Sequence, residues 1–287
     1  MSALATHPVR RARGLPGLRG SGLVGHACAA IIVLAFAIAV LGPMLARYDP
    51  NSISLSSVYA GPSGDHVLGF DGQGRDLLSR LLVGARTALI GPLAVVAISV
   101  ALGAALATAA AWLGGLFDTV SSAILDVLFA FPGLLLAVLA SAVFGAGLTS
   151  AAIALAVAYT PYIARVLRGA ALRERAQPYV AALEVQGVSG LAVCARHLVP
   201  NIGPLIVAQA TILFGYAMVD LAAISFIGLG VRPPAPDWGV MVADGKSGLL
   251  DGHAAASLSA GACIVIVVVA VNLLGERLSE RATSSSR

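Results

Sequence analysis

Apolar blocks alternate with short polar segments along most of the chain. The blocks run from about 27 to 46, 87 to 117, 119 to 144, 148 to 164, 201 to 227 and 254 to 275, and Asp126 and Asp220 are the only acids well inside them. Each block is close to the ~20 residues that a helix rising 1.5 Å per residue needs to cross roughly 30 Å of hydrocarbon. A backbone in lipid must satisfy its own hydrogen bonds, so the pattern predicts an all-α integral membrane protein with six transmembrane helices. Pro132 falls inside the third block. It removes one helix hydrogen bond and predicts a kink in that span, read as a static bend rather than a hinge. Ahead of the second block, Arg75 to Val83 (RDLLSRLLV) puts Leu77, Leu78, Leu81 and Leu82 on one face. That spacing predicts an amphipathic lead-in helix lying on the membrane or on a partner.

Composition agrees with the pattern: 58% of the 287 residues are hydrophobic and 11% are charged, against roughly a quarter charged in soluble domains. The first block is longer than a signal-peptide core and is followed by no small-x-small cleavage site, so it is read as a retained helix. The basic residues are 17 Arg and Lys246, and their distribution sets topology. Four lie in the amino-terminal tail, five in the 165–200 loop and three after Gly275, against three in 47–83 and two in 228–253. The positive-inside rule then places both termini and the 165–200 loop in the cytoplasm. The resulting division is a cytoplasmic tail (1–26), a first transmembrane helix (27–46) and an extracytoplasmic segment with the amphipathic helix (47–83). A five-helix core (84–275) containing the 165–200 loop follows, then a cytoplasmic tail (276–287). Lipid is the expected surrounding, and no nucleic-acid partner is expected.

A cytoplasmic loop of the length of 165–200 needs a reason. Pro178 starts a helix that Tyr179 to Gln186 continues, Gly187 breaks it, Ser189 caps a second, and Val199-Pro200 ends that one. Two helices this short gain order only by packing against something. A folded connector and a docking knob are both open readings.

The segment Tyr179 to Asn201, YVAALEVQGVSGLAVCARHLVPN, resembles the cytoplasmic motif of binding-protein-dependent ABC importer permeases: Glu-Ala-Ala, three residues, Gly, and an apolar-x-Leu-Pro end. Ala182 and Gly187 match, as does the terminal His197 to Asn201, whereas Ala181 replaces the Glu and Leu183 the second Ala. His66 to Arg86, Asp126 to Leu136 (DVLFAFPGLLL) and Ser225 to Lys246 (SFIGLGVRPPAPDWGVMVADGK) are similar to segments of the C-type permeases of dipeptide, oligopeptide and nickel importers. The resemblance implies a type I ABC importer permease fold with a two-helix cytoplasmic coupling loop, in the bacterial inner membrane. It implies a second homologous permease, two ATPase subunits that carry ATP and Mg, and an extracytoplasmic substrate-binding protein. This chain would bind no cofactor and catalyse nothing. The ATPase contact, carried over by position, centres on Ala182, Leu183, Glu184, Gly187, Val188, Ser189 and Gly190.

Asp126 and Asp220 are candidates for the translocation pathway, because an intramembrane carboxylate must be paired or face water. For each the alternative is a structural pairing between helices, which is the preferred reading. Gly239 to Ser247 (GVMVADGKS) almost spells a phosphate loop, but five residues separate its glycines where four are needed. Pro233, Pro234 and Pro236 with Trp238 predict a rigid turn with an interfacial aromatic. Cys28, Cys194 and Cys263 lie apart and the five histidines do not cluster, so no metal site is expected. A secondary transporter would need its own ion-coupling groups in broken helices, and an enzyme a paired nucleophile and base. Neither pattern is found.

Overall fold

The computed structural model describes residues 22–284. The tail arginines Arg10, Arg11, Arg13 and Arg19, and the last three residues, lie outside them. In chain order the helices are α1 (Gly22–Leu45), α2 (Leu77–Leu113), α3 (Gly115–Phe129), α4 (Gly133–Phe144) and α5 (Leu148–Arg175). Three short helices follow, α6 (Pro178–Val185), α7 (Gly190–Val193) and α8 (Val199–Asn201), the last two joined by a π-helical turn over Cys194–Leu198. Then come α9 (Gly203–Phe226), the short α10 (Trp238–Asp244) and α11 (Lys246–Leu250), and α12 (Ala255–Ser284). Among the described residues, strand pairing is limited to one isolated bridge between Phe70 and Asp76.

Helices α1, α2, α5, α9 and α12 are each long and apolar enough to cross a membrane, and α3 with α4 makes a sixth crossing if the pair counts as one span. That pair corrects the expected kink, because its two halves meet at 80° across a break. Phe131 precedes a proline, which steers it away from helical backbone, and Pro132 becomes the residue that caps α4.

The axis of the fold is α2, whose 37 residues span about 55 Å. It packs along α1, α5 and α9, and α12 closes against α9. Small residues allow the closest approach: a methyl group added at Gly103 would stand 2.6 Å from Ile163 Cγ2 and 3.0 Å from the Ala164 nitrogen. Ser99 ties the same two helices by donating to the Ala156 carbonyl at 3.0 Å.

The two ends of α2 carry the two polar assemblies of the fold. At its start, Asp76 caps the helix by accepting from the Ser79 amide at 2.8 Å. No separate lead-in helix exists there; Leu77 to Val83 is simply the first part of α2. Its leucine face lies inside the protein instead of on a membrane, with Leu77 and Leu81 buried. Arg75 and Arg80 are buried as well, at 2% and 0% exposure. Two buried guanidinium groups need counter-charges, and the chain supplies one from nearby, Asp71, and one from far away, Asp244. Arg75 donates to Asp71 at 2.6 Å and to Asp244 at 2.8 Å, while Arg80 lies 3.7 and 3.8 Å from the same two carboxylates. Segment 46–76 and the 232–253 region are thereby pinned to the start of α2. Trp238 is part of this cap and is not interfacial: it is buried, and its Nε1 donates to the Leu81 carbonyl at 3.0 Å.

Candidate functional site

At the opposite end of α2, residues 176–201 fold into a small helical knob. Pro178 occupies the first turn of α6, where its missing N–H costs nothing. Gly187 turns the chain with φ of +76°, a conformation glycine adopts without penalty. Ser189 caps α7 by accepting from the Ala192 amide at 3.4 Å. These are the elements the sequence predicts. Two boundaries differ: α5 continues to Arg175, well into the expected loop, and Val199-Pro200 does not stop the second helix. The π turn absorbs the proline, and the chain stays helical through Asn201.

Val180, Val193 and Leu198 form a small core of the knob, with Trp112, Tyr179, Leu183 and Val188 around it. Two polar clamps fix the base of the knob, one tying it to α5 and the other tying α5 to α2. In one, Glu174 at the end of α5 accepts from Tyr179 Oη and from Asn201 Nδ2, each at 2.7 Å, and Asn201 also donates to Tyr179 Oη at 3.0 Å. Burial, and then the hydrogen bond to Glu174, raise the Tyr179 pKa, so the phenol keeps its proton as donor. In the other, Arg175 donates to the Ala111 and Trp112 carbonyls at the end of α2, and its guanidinium lies over the Trp112 ring. Gly190 seats directly against that ring, where an added methyl would stand 2.1 Å from Trp112 Nε1. The end of α2, the end of α5 and the start of α9 meet here, with Leu205 and Ile206 packed against Ala111, Ala170 and Ala171.

The predicted contact residues divide by exposure. Ala182, Glu184, Gly187 and Ser189 are exposed, and Leu183, Val188 and Gly190 are half-buried. Ala181, in place of the motif Glu, also points outward. The most exposed apolar side chains of the knob are Val185 at 90% and Leu191 at 82%. Glu174, Arg175 and Trp112 were not legible as site residues. Arg175 entered only in the count of basic loop residues, Glu174 gave no signal, and Trp112 lies some sixty residues away in sequence. Burial raises the Cys194 pKa, against the pull of Arg175.

The structure keeps the two pathway candidates apart from the knob and from each other. Asp126 pairs with Arg165 of α5 at the half-open surface of α3. Asp220 of α9 accepts from Tyr159 Oη of α5 at 2.6 Å. Both therefore tie one helix to another. Among the described residues no group of three His, Cys, Asp or Glu side chains could hold a metal ion. The arrangement places a small folded knob where three spanning helices end.

Comparison with known proteins gives three concordant results. The family described as binding-protein-dependent transport system inner membrane component matches residues 90–284. The chain is 40% identical to the "Putative peptide transport system permease protein" of Brucella suis biovar 1, over 91% of this chain and 87% of that one. It is 36% identical to the glutathione transport system permease protein GsiD of Escherichia coli O1:K1, over 88% of this chain and 83% of that one. Among solved structures, a chain from inward-facing conformations of the MetNI methionine ABC transporter superposes with a TM-score of 0.55 at 21% identity. That match covers 71% of this chain and 96% of the other, and it shows a shared fold.

Proposed function

This chain belongs to the binding-protein-dependent transport system inner membrane component family, and from that membership we propose that it is one permease subunit of an ATP-driven importer of di- or oligopeptides or a related small solute. It pairs with a second, homologous permease and forms half of the translocation pathway. Two ATPase subunits bind ATP and Mg on the cytoplasmic side, and an extracytoplasmic binding protein delivers the solute. Both termini face the cytoplasm, and this chain itself performs no chemistry.

The observation that carries the reading is the clamped knob. Its exposed Val185 and Leu191 suit burial in an ATPase groove, because apolar area removed from water favours association. It is tied to α5 through Glu174 and seated on the end of α2 at Trp112, which suits passing a movement of the knob to those helices. The buried cap at the other end of α2 suits the side that meets the binding protein.

The test is co-purification of the chain from its native membrane, with Leu191→Asp and Gly187→Val as comparisons. The expected result is an ATPase and a second permease bound to the native chain. Both substitutions should shed the ATPase and leave the permease pair intact. A chain that purifies alone and moves solute across vesicles without ATP would be a secondary transporter, and the importer reading would be lost.

A further inference from the structure

Three carboxylates project from the apolar helices α3 and α9. Asp118 is met by Arg168 and Asp126 by Arg165. Asp220 is met by no Arg or Lys among the described residues; its one recorded partner is the Tyr159 hydroxyl, a neutral donor. It is only half-buried, and Tyr216, four residues back on the same helix face, is 57% exposed. Residues three and four apart share a helix face, so the carboxylate sits on the open stripe of α9. A carboxylate without a counter-charge on a spanning helix cannot face hydrocarbon without a large cost. Within an assembled transporter that stripe must then meet either water or a cation of another subunit.

The surroundings of the carboxylate define what it can hold. Tyr216 stands one turn back on the same face of α9, and Tyr159 Oη reaches the carboxylate from α5 at 2.6 Å, so two phenol side chains stand beside it. About three turns back along α9, the buried Gln209 accepts from Tyr162 Oη at 3.0 Å, a second tie between α9 and α5. A single carboxylate flanked by aromatic rings suits an ammonium group, through one ion pair and cation–π contact. A bare metal ion would need more ligands than this face supplies.

We infer that Asp220, with Tyr216 and Tyr159, is a transit site for the ammonium group of the solute, the free amino terminus of a peptide. This inference rests on the peptide-import reading above. It makes Asp220 a specificity-determining residue of the permease, beyond the selection made by the binding protein.

The test uses the complete transporter in liposomes, with trialanine and its N-acetyl form each presented on saturated binding protein. Asp220→Asn still accepts the Tyr159 hydrogen bond and removes only the charge. It should slow trialanine uptake about tenfold, the scale of one lost ion pair with cation–π support. Acetylated peptide should move at equal rates in the variant and the native complex, and Asp220→Glu should keep trialanine uptake near native. Tyr159→Phe, which removes the tie but keeps the charge, should affect both peptides alike and mildly. The inference is overturned if Asp220→Asn slows both peptides equally, or neither. It is also overturned if that variant splits the permease pair, which would assign the carboxylate to a cation of the second permease. Failure of the native complex to move either peptide with ATP would instead remove the peptide-import reading, and this site with it.

Discussion

The guanidinium of Arg175 lies 5.0 Å from the centre of the Trp112 ring, and it donates to the last carbonyls of the same helix at Ala111 and Trp112. Those carbonyls have no partner within α2, because the last turn of any helix leaves its acceptors free. Arg175 therefore joins the end of α5 to the end of α2 immediately above the knob. Arg175→Met keeps the aliphatic stem and removes the charged donors, at an expected cost of about 1–3 kcal/mol. Thermal unfolding in detergent should show that loss. Solute-stimulated ATPase activity of the complex should fall further than stability does, since the knob would no longer move as one with both helices.

Gly187 and Gly190 are three residues apart and should respond differently to the same substitution. At Gly187 the φ of +76° disfavours any side chain, but nothing stands within 4 Å of an added methyl, so Gly187→Ala should cost about 1 kcal/mol. At Gly190 the methyl would collide with the Trp112 ring. Gly190→Ala must therefore displace α7 from the end of α2. Limited proteolysis of residues 176–201 should be faster for Gly190→Ala than for Gly187→Ala. The reverse order would show that the turn, and not the seat on Trp112, holds the knob.

The knob was legible because its determinants are local. Pro178, Gly187 and Ser189 each act within a turn of the chain, and each does in the structure what its residue type predicts. The spanning helices were legible for the same reason, from length and composition. What was missed depends on distant chain. Leu77 and Leu81 read as a membrane-surface face, yet residues 232–253 cover them and bring Asp244 to Arg75. Trp238 read as interfacial beside its prolines, yet the Leu81 carbonyl, 157 residues away, holds it inside. At Pro132 the residue was identified but the extent of its effect was not, since an apolar helix gives no periodic signal for where its second half turns.

Asp237 gives a pH dependence whose sign follows from its surroundings. Burial raises its pKa above the ordinary 3.8, against the pull of the Val240 and Gly239 amides that it caps. The folded protein then holds this proton more tightly than the unfolded chain does. The stability it contributes is complete below the ordinary carboxylate value and is lost as pH rises through the raised folded value. Asparagine caps a helix about as well and never ionises. Asp237→Asn should therefore raise the unfolding temperature by a few degrees at pH 7, and the gap should close as pH falls toward about 3. A variant less stable than the native chain at neutral pH would mean that the two amides more than offset the burial of the charge.

The contact between α2 and α5 at Gly103 is close enough to read by a double-mutant cycle. A methyl at Gly103 would meet Ile163 Cγ2 at 2.6 Å and the Ala164 backbone nitrogen at 3.0 Å. The first obstacle is a side chain and the second is not. Gly103→Ala should destabilise by about 1–3 kcal/mol, the usual cost of overpacking a core, while Ile163→Ala alone should cost about 2–5 kcal/mol through the cavity it leaves. Combining them lets the new methyl occupy part of that cavity, so the double variant should be more stable than the sum of the two losses predicts. Full additivity in thermal unfolding would place the strain at the Ala164 backbone, with Ile163 free to move aside. A coupling of 0.5 kcal/mol or more, on the scale of about 0.5–3 kcal/mol for residues in contact, would assign the limit on helix approach to the Gly103–Ile163 pair.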